Sequence, residues 1–240
     1  MSVTDAILAV HNEEEYLPYS LASLKDCDVD RLILVFDRCS DGSSRVVSTS
    51  WTRPVLAIHR EFKGSWRNSC AEAKAVGLNH ADSDFVFMTD ADLSVDCVAL
   101  REAKVLLEHD LFEVVFLVYR QYSLFGSWTQ RVRDEWINLL NILIRRLKIH
   151  PTRTGVYLVR NDSIYLTDHP SEYDEATRQL RSTFIRSRSL HLRPRYDVAS
   201  QKARGRARAI MPHYGLVKVL LSSLIDFQPF MFVGYLEARR

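Results

Sequence analysis

What most restricts the fold of this chain is a series of short apolar runs, each stopping abruptly in polar loop residues and each followed by a helical pattern. Ala6 to Val10 is β-compatible and ends at His11-Asn12. Behind it Tyr16, Leu17, Leu21 and Leu24 recur at helical spacing, which predicts a helix over Glu13 to Leu24. Arg31 to Phe36 (RLILVF) reads as a second strand, closed by the turn-forming Asp37-Arg38-Cys39-Ser40-Asp41-Gly42 and a further helix. Val55 to His59 is a third candidate strand, Asn68 to Ala81 a helix, and Phe85 to Met88 a fourth strand running into Thr89-Asp90-Ala91-Asp92. Such alternation predicts an α/β fold with a mostly parallel, doubly wound sheet flanked by helices. Ligands of these sheets bind beyond the carboxyl ends of the strands. His11 to Glu13, Asp37 to Asp41 and Asp90 to Asp92 all fall on that edge.

The second half has a different character. Residues 1–119 carry 11 Lys+Arg against 20 Asp+Glu, a net of −9, whereas residues 120–240 carry 21 against 10, a net of +11. The total of +2 hides this polarity. After a strand predicted at Val114 to Tyr119, Trp128 to Ile149 places Trp136, Leu139, Leu140, Leu143 and Leu147 on one helical face, with Arg131, Arg133, Arg145, Arg146 and Lys148 around it. Thr154 to Arg160 reads as a strand, and Ser171 to Glu175 as an acid-rich helix start. Ala176 to Ile210 holds ten Lys+Arg and one acid, Asp197. Gly215 to Leu236 is largely apolar but is interrupted by Lys218, Asp226, Gln228 and Pro229, so a conventional membrane-spanning helix is not expected. At 47% hydrophobic residues over 240 positions the chain can bury a full core, which argues against disorder. Cys27, Cys39, Cys70 and Cys97 lack metal-binding spacing, which predicts free thiols and a reducing compartment.

Asp90-Ala91-Asp92 is the sharpest chemical feature. Two carboxylates one residue apart after a buried strand can offer hard oxygen ligands to a divalent cation while leaving positions for phosphate oxygens. With AILAVHNEEEYLPYSLASL (Ala6 to Leu24) and RLILVFDRCSDGS (Arg31 to Ser43) before it, ADSDFVFMTDADL (Ala81 to Leu93) resembles, in order and spacing, the nucleotide-sugar-binding half of family 2 glycosyltransferases. These have the GT-A fold, and the likeness extends to dolichol-phosphate-mannose-synthase-like and minimal cellulose-synthase-like members. The second motif departs from the family's DDGSTDGT, with Phe36 at the first Asp and Arg38-Cys39 at Gly-Ser, while Asp37 keeps the second Asp.

The resemblance implies a metal-dependent, inverting transfer of a hexose, mannose or glucose, from a GDP- or UDP-sugar to a lipid-linked or glycan acceptor. His11, Asn12 and Glu13 would line the nucleotide, Asp37 would accept a hydrogen bond from the base, and Lys74 would approach the diphosphate. Asp90 would touch ribose or metal, and Asp92 would hold Mg²⁺ or Mn²⁺. Glu172 or Asp174, split by Tyr173 where the family has an adjacent pair, would supply the base, with Asp174 favoured. Gln201 and Arg204 match the QxxR element that binds donor diphosphate and acceptor in processive members, although Gly205 replaces its Trp.

These readings divide the chain into a nucleotide-sugar half at 1–119, an acceptor-side half at 120–209 and an apolar C-terminal segment at 210–240. The basic amphipathic elements suggest peripheral attachment to a membrane surface, on the cytoplasmic face. A sugar nucleotidyltransferase would instead want a Gly-rich basic loop where the acidic Glu13-Glu14-Glu15 stands. An RNA-binding protein using Ala176 to Ile210 would want more aromatics than Phe184 and Tyr196, so no nucleic-acid partner is expected.

Overall fold

The computed structural model describes residues 2–61, 69–146, 156–164, 180–193, 202, 206, 209, 215–225 and 229–239. In its first half β1 (Thr4–Val10), α1 (Leu17–Leu24), β2 (Arg31–Asp37), α2 (Ser43–Ser50), β3 (Val55–Arg60), α3 (Ser69–Leu78) and β4 (Phe85–Asp90) alternate as the sequence predicts. A short β5 (Leu93–Ser94), α4 (Cys97–Glu108) and β6 (Val114–Gln121) follow. Then come α5 (Trp128–Arg146), β7 (Tyr157–Arg160), β8 (Ser182–His191), α6 (Leu216–Ile225) and α7 (Pro229–Arg239).

The strands make one eight-stranded sheet in the order β3-β2-β1-β4-β7-β6-β8-β5. The β3, β2, β1 and β4 strands run parallel, while β7 is antiparallel to β4 and β6, and β5 to β8. The inner strands β2, β1 and β4 are apolar on both faces because both are covered, whereas the edge strand β3 alternates exposed and half-buried residues. Ala6, Leu8, Val10, Leu32, Leu34 and Phe36 pack with α1 and α4 residues such as Leu17, Leu21, Leu100 and Leu107. Their alternate neighbours Ile7, Ile33, Val86 and Met88 pack on the opposite face with Leu78 of α3. The α3 helix approaches this face closely: a Cβ on Gly77 would lie 2.5 Å from Ile7 Cγ2.

Three local outcomes bear on the site. The helix expected from Glu13 begins only at Leu17, with Pro18 in its first turn. The intervening residues form a turn in which Tyr16 and Leu17 N–H donate to the Glu13 carbonyl, at 3.1 and 2.8 Å. Next, the Arg-rich run after Arg181 contains β8, which the sequence reading passed over. Finally, Cys27 and Cys97, expected to be free thiols, are joined by a disulfide, with Cα atoms 4.7 Å apart and a sequence separation of 70. They meet because the C-terminal end of α1 lies against the start of α4, where Val95 N–H donates to Ser23 Oγ at 2.9 Å, a contact that no sequence spacing reveals.

By contact density the chain divides into one unit of Met1–Arg120 with Thr152–His191 and a second of Gln121–Pro151 with Leu192–Arg240. The first holds the sheet and the three polar clusters. In the second, α6 and α7 pack on each other. No helix among the described residues is long and apolar enough to cross a membrane.

Candidate active site

Strand register assembles the site. Val10 lies opposite Phe36, Ala9 opposite Asp90, and Asp37 opposite Arg60, so β1, β2 and β4 end at one level. The residues just past them share the carboxyl edge of the parallel sheet.

The β1 and β2 loops are bound to one another. His11 Nδ1 lies 2.6 Å from the Asp37 carbonyl. Asn12, at φ 54°, accepts from Ser40 N–H at 2.8 Å, and Glu13 N–H donates to Ser43 Oγ at 2.8 Å. Glu14 accepts from Gly42 N–H at 2.9 Å and donates its own N–H to Asp41 at 3.0 Å. The left-handed region suits Asn, whereas Arg38 at φ 51° is an unusual occupant and marks a constrained turn. Asp37 is buried, and its carboxylate is paired with the Arg38 guanidinium at 2.9 Å and approached by Arg60 at 3.6 Å. The hydrogen bond to Asp37 holds the Arg38 guanidinium above its ordinary pKa. Arg60 in turn pairs with Glu72 of α3 at 2.9 Å. The Asp37 side chain therefore presents a carboxylate and a guanidinium together, an acceptor beside donors.

The second cluster stands on α3, β4 and β8. Lys74 is buried and its Nζ lies 2.6 Å from Asp90 Oδ1. Burial alone would lower the Lys74 pKa, but the Asp90 carboxylate outweighs it and keeps the ammonium above its usual value. Burial likewise pushes Asp90 up, and Lys74, with a smaller contribution from His191, more than reverses this. Both groups are charged at neutral pH. Asp92 sits two residues on, buried, with its carboxylate 3.6 Å from His191 Nε2. Leu93 pairs with His191 across β5 and β8, and the imidazole stacks on Tyr119 at 5.5 Å between centroids.

His191 is the site residue that sequence reasoning missed. Its signal was present: Thr183-Phe184-Ile185 lies in an alternating strand that, like β2 and β4, ends in a polar residue. The surrounding arginines made the segment look like a solvated basic stretch.

Asp92 and His191 fit a divalent cation. A carboxylate oxygen and an imidazole nitrogen facing one another are donors that Mn²⁺ accepts, and Mg²⁺ is commonly held by one or two carboxylates plus substrate phosphates. Among the described residues no group of three or more His, Cys, Asp and Glu is placed to hold an ion unaided. The pair thus suits an ion completed by diphosphate oxygens and water. The structure brings together His11, Asn12, Glu13 and Asp37 on one side, and Lys74, Asp90 and Asp92 on the other. Glu172, Asp174, Gln201 and Arg204 lie outside the described residues.

Comparison with known proteins bears on the fold and the family. One similar structure is glucosyl-3-phosphoglycerate synthase of M. tuberculosis, at 16% identity and a TM-score of 0.52, covering 82% of this chain and 73% of that one. The same enzyme of Mycobacterium tuberculosis with Mn²⁺, UDP-glucose and phosphoglyceric acid gives 18% identity, a TM-score of 0.57 and coverage of 84% and 75%. S. aureus TarS 1-349 in complex with UDP-GlcNAc is similar at 12% identity and a TM-score of 0.57, covering 94% of this chain and 73% of that one. At such identities the likeness establishes the fold, which is GT-A. No curated protein sequence matches the chain. The family model of glycosyl transferase family 2 matches residues 5–167, more than half of the chain, which therefore belongs to that family and is a glycosyltransferase.

Proposed function

We propose that the protein transfers a hexose, glucose or mannose, with inversion from a nucleotide sugar to a lipid-linked or glycan acceptor, in a reaction that depends on Mg²⁺ or Mn²⁺. A UDP-sugar is favoured over a GDP-sugar because the similar structures hold UDP-glucose and UDP-GlcNAc. The observation that carries the reading is the placement of Lys74–Asp90 and Asp92–His191 at the edge where β1 and β2 also end.

In this reading the loops after β1 and β2 bind the nucleoside, with Asp37 and Arg38 reading the base edge. Lys74, kept cationic by Asp90, faces the anionic diphosphate, and Asp90 is oriented in return for a ribose hydroxyl. Asp92 and His191 hold the metal, whose chemistry when bound is to neutralise charge on the departing nucleoside diphosphate. Fixed groups of this kind stabilise leaving-group charge without reorganising. The acceptor hydroxyl is deprotonated from the opposite face by Asp174, or by Glu172, while Gln201 and Arg204 engage diphosphate and acceptor.

A thermal-shift panel of UDP- and GDP-sugars with and without Mn²⁺ tests this. A ligand that binds only the folded state stabilises it by about 2.7 kcal/mol at a hundred times its Kd, which is roughly 5–11 °C for a chain of this size. The shift should need both nucleotide sugar and metal and should vanish in Asp92→Ala and His191→Ala. No shift with any pair, or full turnover by Asp92→Ala, would overturn the reading.

A further inference from the structure

The α5 helix exposes an apolar stripe that a helix in water would ordinarily cover. Its inward side is partly polar: Asp134 and Asn138, at 4% and 5% exposed, lie beside Ile137 at 3%. Asp134 accepts from Ser123 N–H at 2.7 Å, and Asn138 exchanges hydrogen bonds with the Gln121 backbone at 2.9 and 3.1 Å. Five of its apolar side chains point out, with Trp128 77%, Val132 50%, Trp136 49%, Leu139 61% and Ile142 47% exposed. At 100° per residue these five fall within one arc of about 120°. Glu135 shares the arc, with the exposed Arg131 one turn before it. A soluble helix turns such a stripe inward, and an exposed one marks an apolar contact surface.

Charge and composition choose the occupant. Residues 128–149 carry Arg131, Arg133, Arg145, Arg146 and Lys148 against Asp134 and Glu135, and Asp134 is committed to a backbone amide. Residues 120–240 as a whole have a net charge of +11. A second copy, meeting the first through an isologous contact, would set this positive surface against itself. An anionic lipid surface offers the opposite charge, and Trp is the residue that settles best at the boundary between headgroups and acyl chains.

We propose that α5 is a membrane-docking helix that lies in the plane of an anionic bilayer surface, with Trp128, Val132, Trp136, Leu139 and Ile142 entering the headgroup–acyl boundary. It docks without crossing, consistent with the absence of any spanning helix among the described residues. The proposal needs neither the sugar nor the acceptor to be identified, because its test reads lipid binding without turnover.

The test is flotation of the purified full chain with vesicles of phosphatidylcholine alone and of phosphatidylcholine mixed with phosphatidylglycerol. Binding should favour the anionic vesicles, weaken as salt is raised, and fall roughly tenfold or more in Trp128→Glu/Trp136→Glu, since both apolar insertion and charge drive it. The same variant should keep the circular dichroism and melting temperature of the parent. A Trp128→Phe/Trp136→Phe variant should still float but lose the fluorescence quenching that brominated lipid imposes on these two tryptophans. Failure of the parent chain to float overturns the proposal, as does equal flotation of the Glu variant. A dimer that Trp136→Glu splits, from a chain that does not float, would assign the stripe to a second copy and equally overturn it.

Discussion

Replacing Lys74 by Met isolates the electrostatic centre of the site, because it keeps the apolar stem and removes only the ammonium. Lys74 is 6% exposed and lies 2.6 Å from Asp90, whose side chain retains 29% of its exposure. Removing one partner of a fully buried ion pair typically costs about 3–5 kcal/mol. Water reaches Asp90 in part, so about 2 kcal/mol is expected, which lowers Tm by roughly 4–8 °C in a chain of this length. The assay is urea denaturation of the parent, Lys74→Met, Asp90→Asn and the double variant. Each single change strands a charge, whereas the double change leaves neither charge, so the cycle should show a coupling of about 1–3 kcal/mol. If Lys74→Met alters stability by less than about 0.5 kcal/mol, and the two changes add, the pair does not hold the site as described. Donor affinity separates two roles for the same residue. A lysine that reaches the diphosphate makes a charge-assisted contact worth about 1.5–3 kcal/mol, so affinity should fall between about tenfold and a hundredfold. Unchanged affinity with lowered stability would mean that Lys74 only props Asp90.

Reduction of the Cys27–Cys97 disulfide, which closes a loop of 70 residues, should cost about 4 kcal/mol in the chain-entropy picture. Urea unfolding with and without reductant measures this, and titration of four free thiols in the untreated protein would refute the bond. Asp41 gives a pH signature. Burial raises its pKa, but hydrogen bonds from Ser43 Oγ at 2.5 Å, Glu14 N–H at 3.0 Å and Ser43 N–H at 3.0 Å outweigh it and hold the carboxyl below the ordinary range. A carboxylate depressed in the folded state stabilises above its unfolded pKa, and that contribution fades as acid approaches its folded pKa. Asp41→Asn should therefore be less stable near neutrality and should lose less stability between about pH 5 and pH 2, read by acid titration of the unfolding midpoint. A parallel acid limb in both proteins would count against the role of Asp41 in tying the loops.

The legible parts of the site were those where function and chain order coincide. Asp37, Asp90 and Asp92 each follow an apolar run, and a parallel sheet delivers every such loop to one edge, so local pattern sufficed to group them. The helix after β1 was placed four residues early, since periodicity at Tyr16 and Leu17 could not reveal that Glu13 N–H would be taken by Ser43 of the neighbouring loop. Periodicity placed Trp136 and Leu139 on one apolar face of α5, while the side chains of Leu140, Leu143 and Leu147 lie outside the described residues; it could not give the direction of that face, since the same spacing serves a buried face or an exposed one.

By itself the sequence determined the alternating α/β half, the carboxyl edge where the acids gather and the opposition of acidic and basic halves, because these depend on period, order and composition. Only the tertiary structure decided that Lys74 neutralises Asp90, that Arg38 and Arg60 occupy the carboxylate of Asp37, and that His191 faces Asp92 from almost a hundred residues away. Those partners sit on different strands and helices. Their meeting depends on strand order, register and packing, which are properties of the folded chain as a whole.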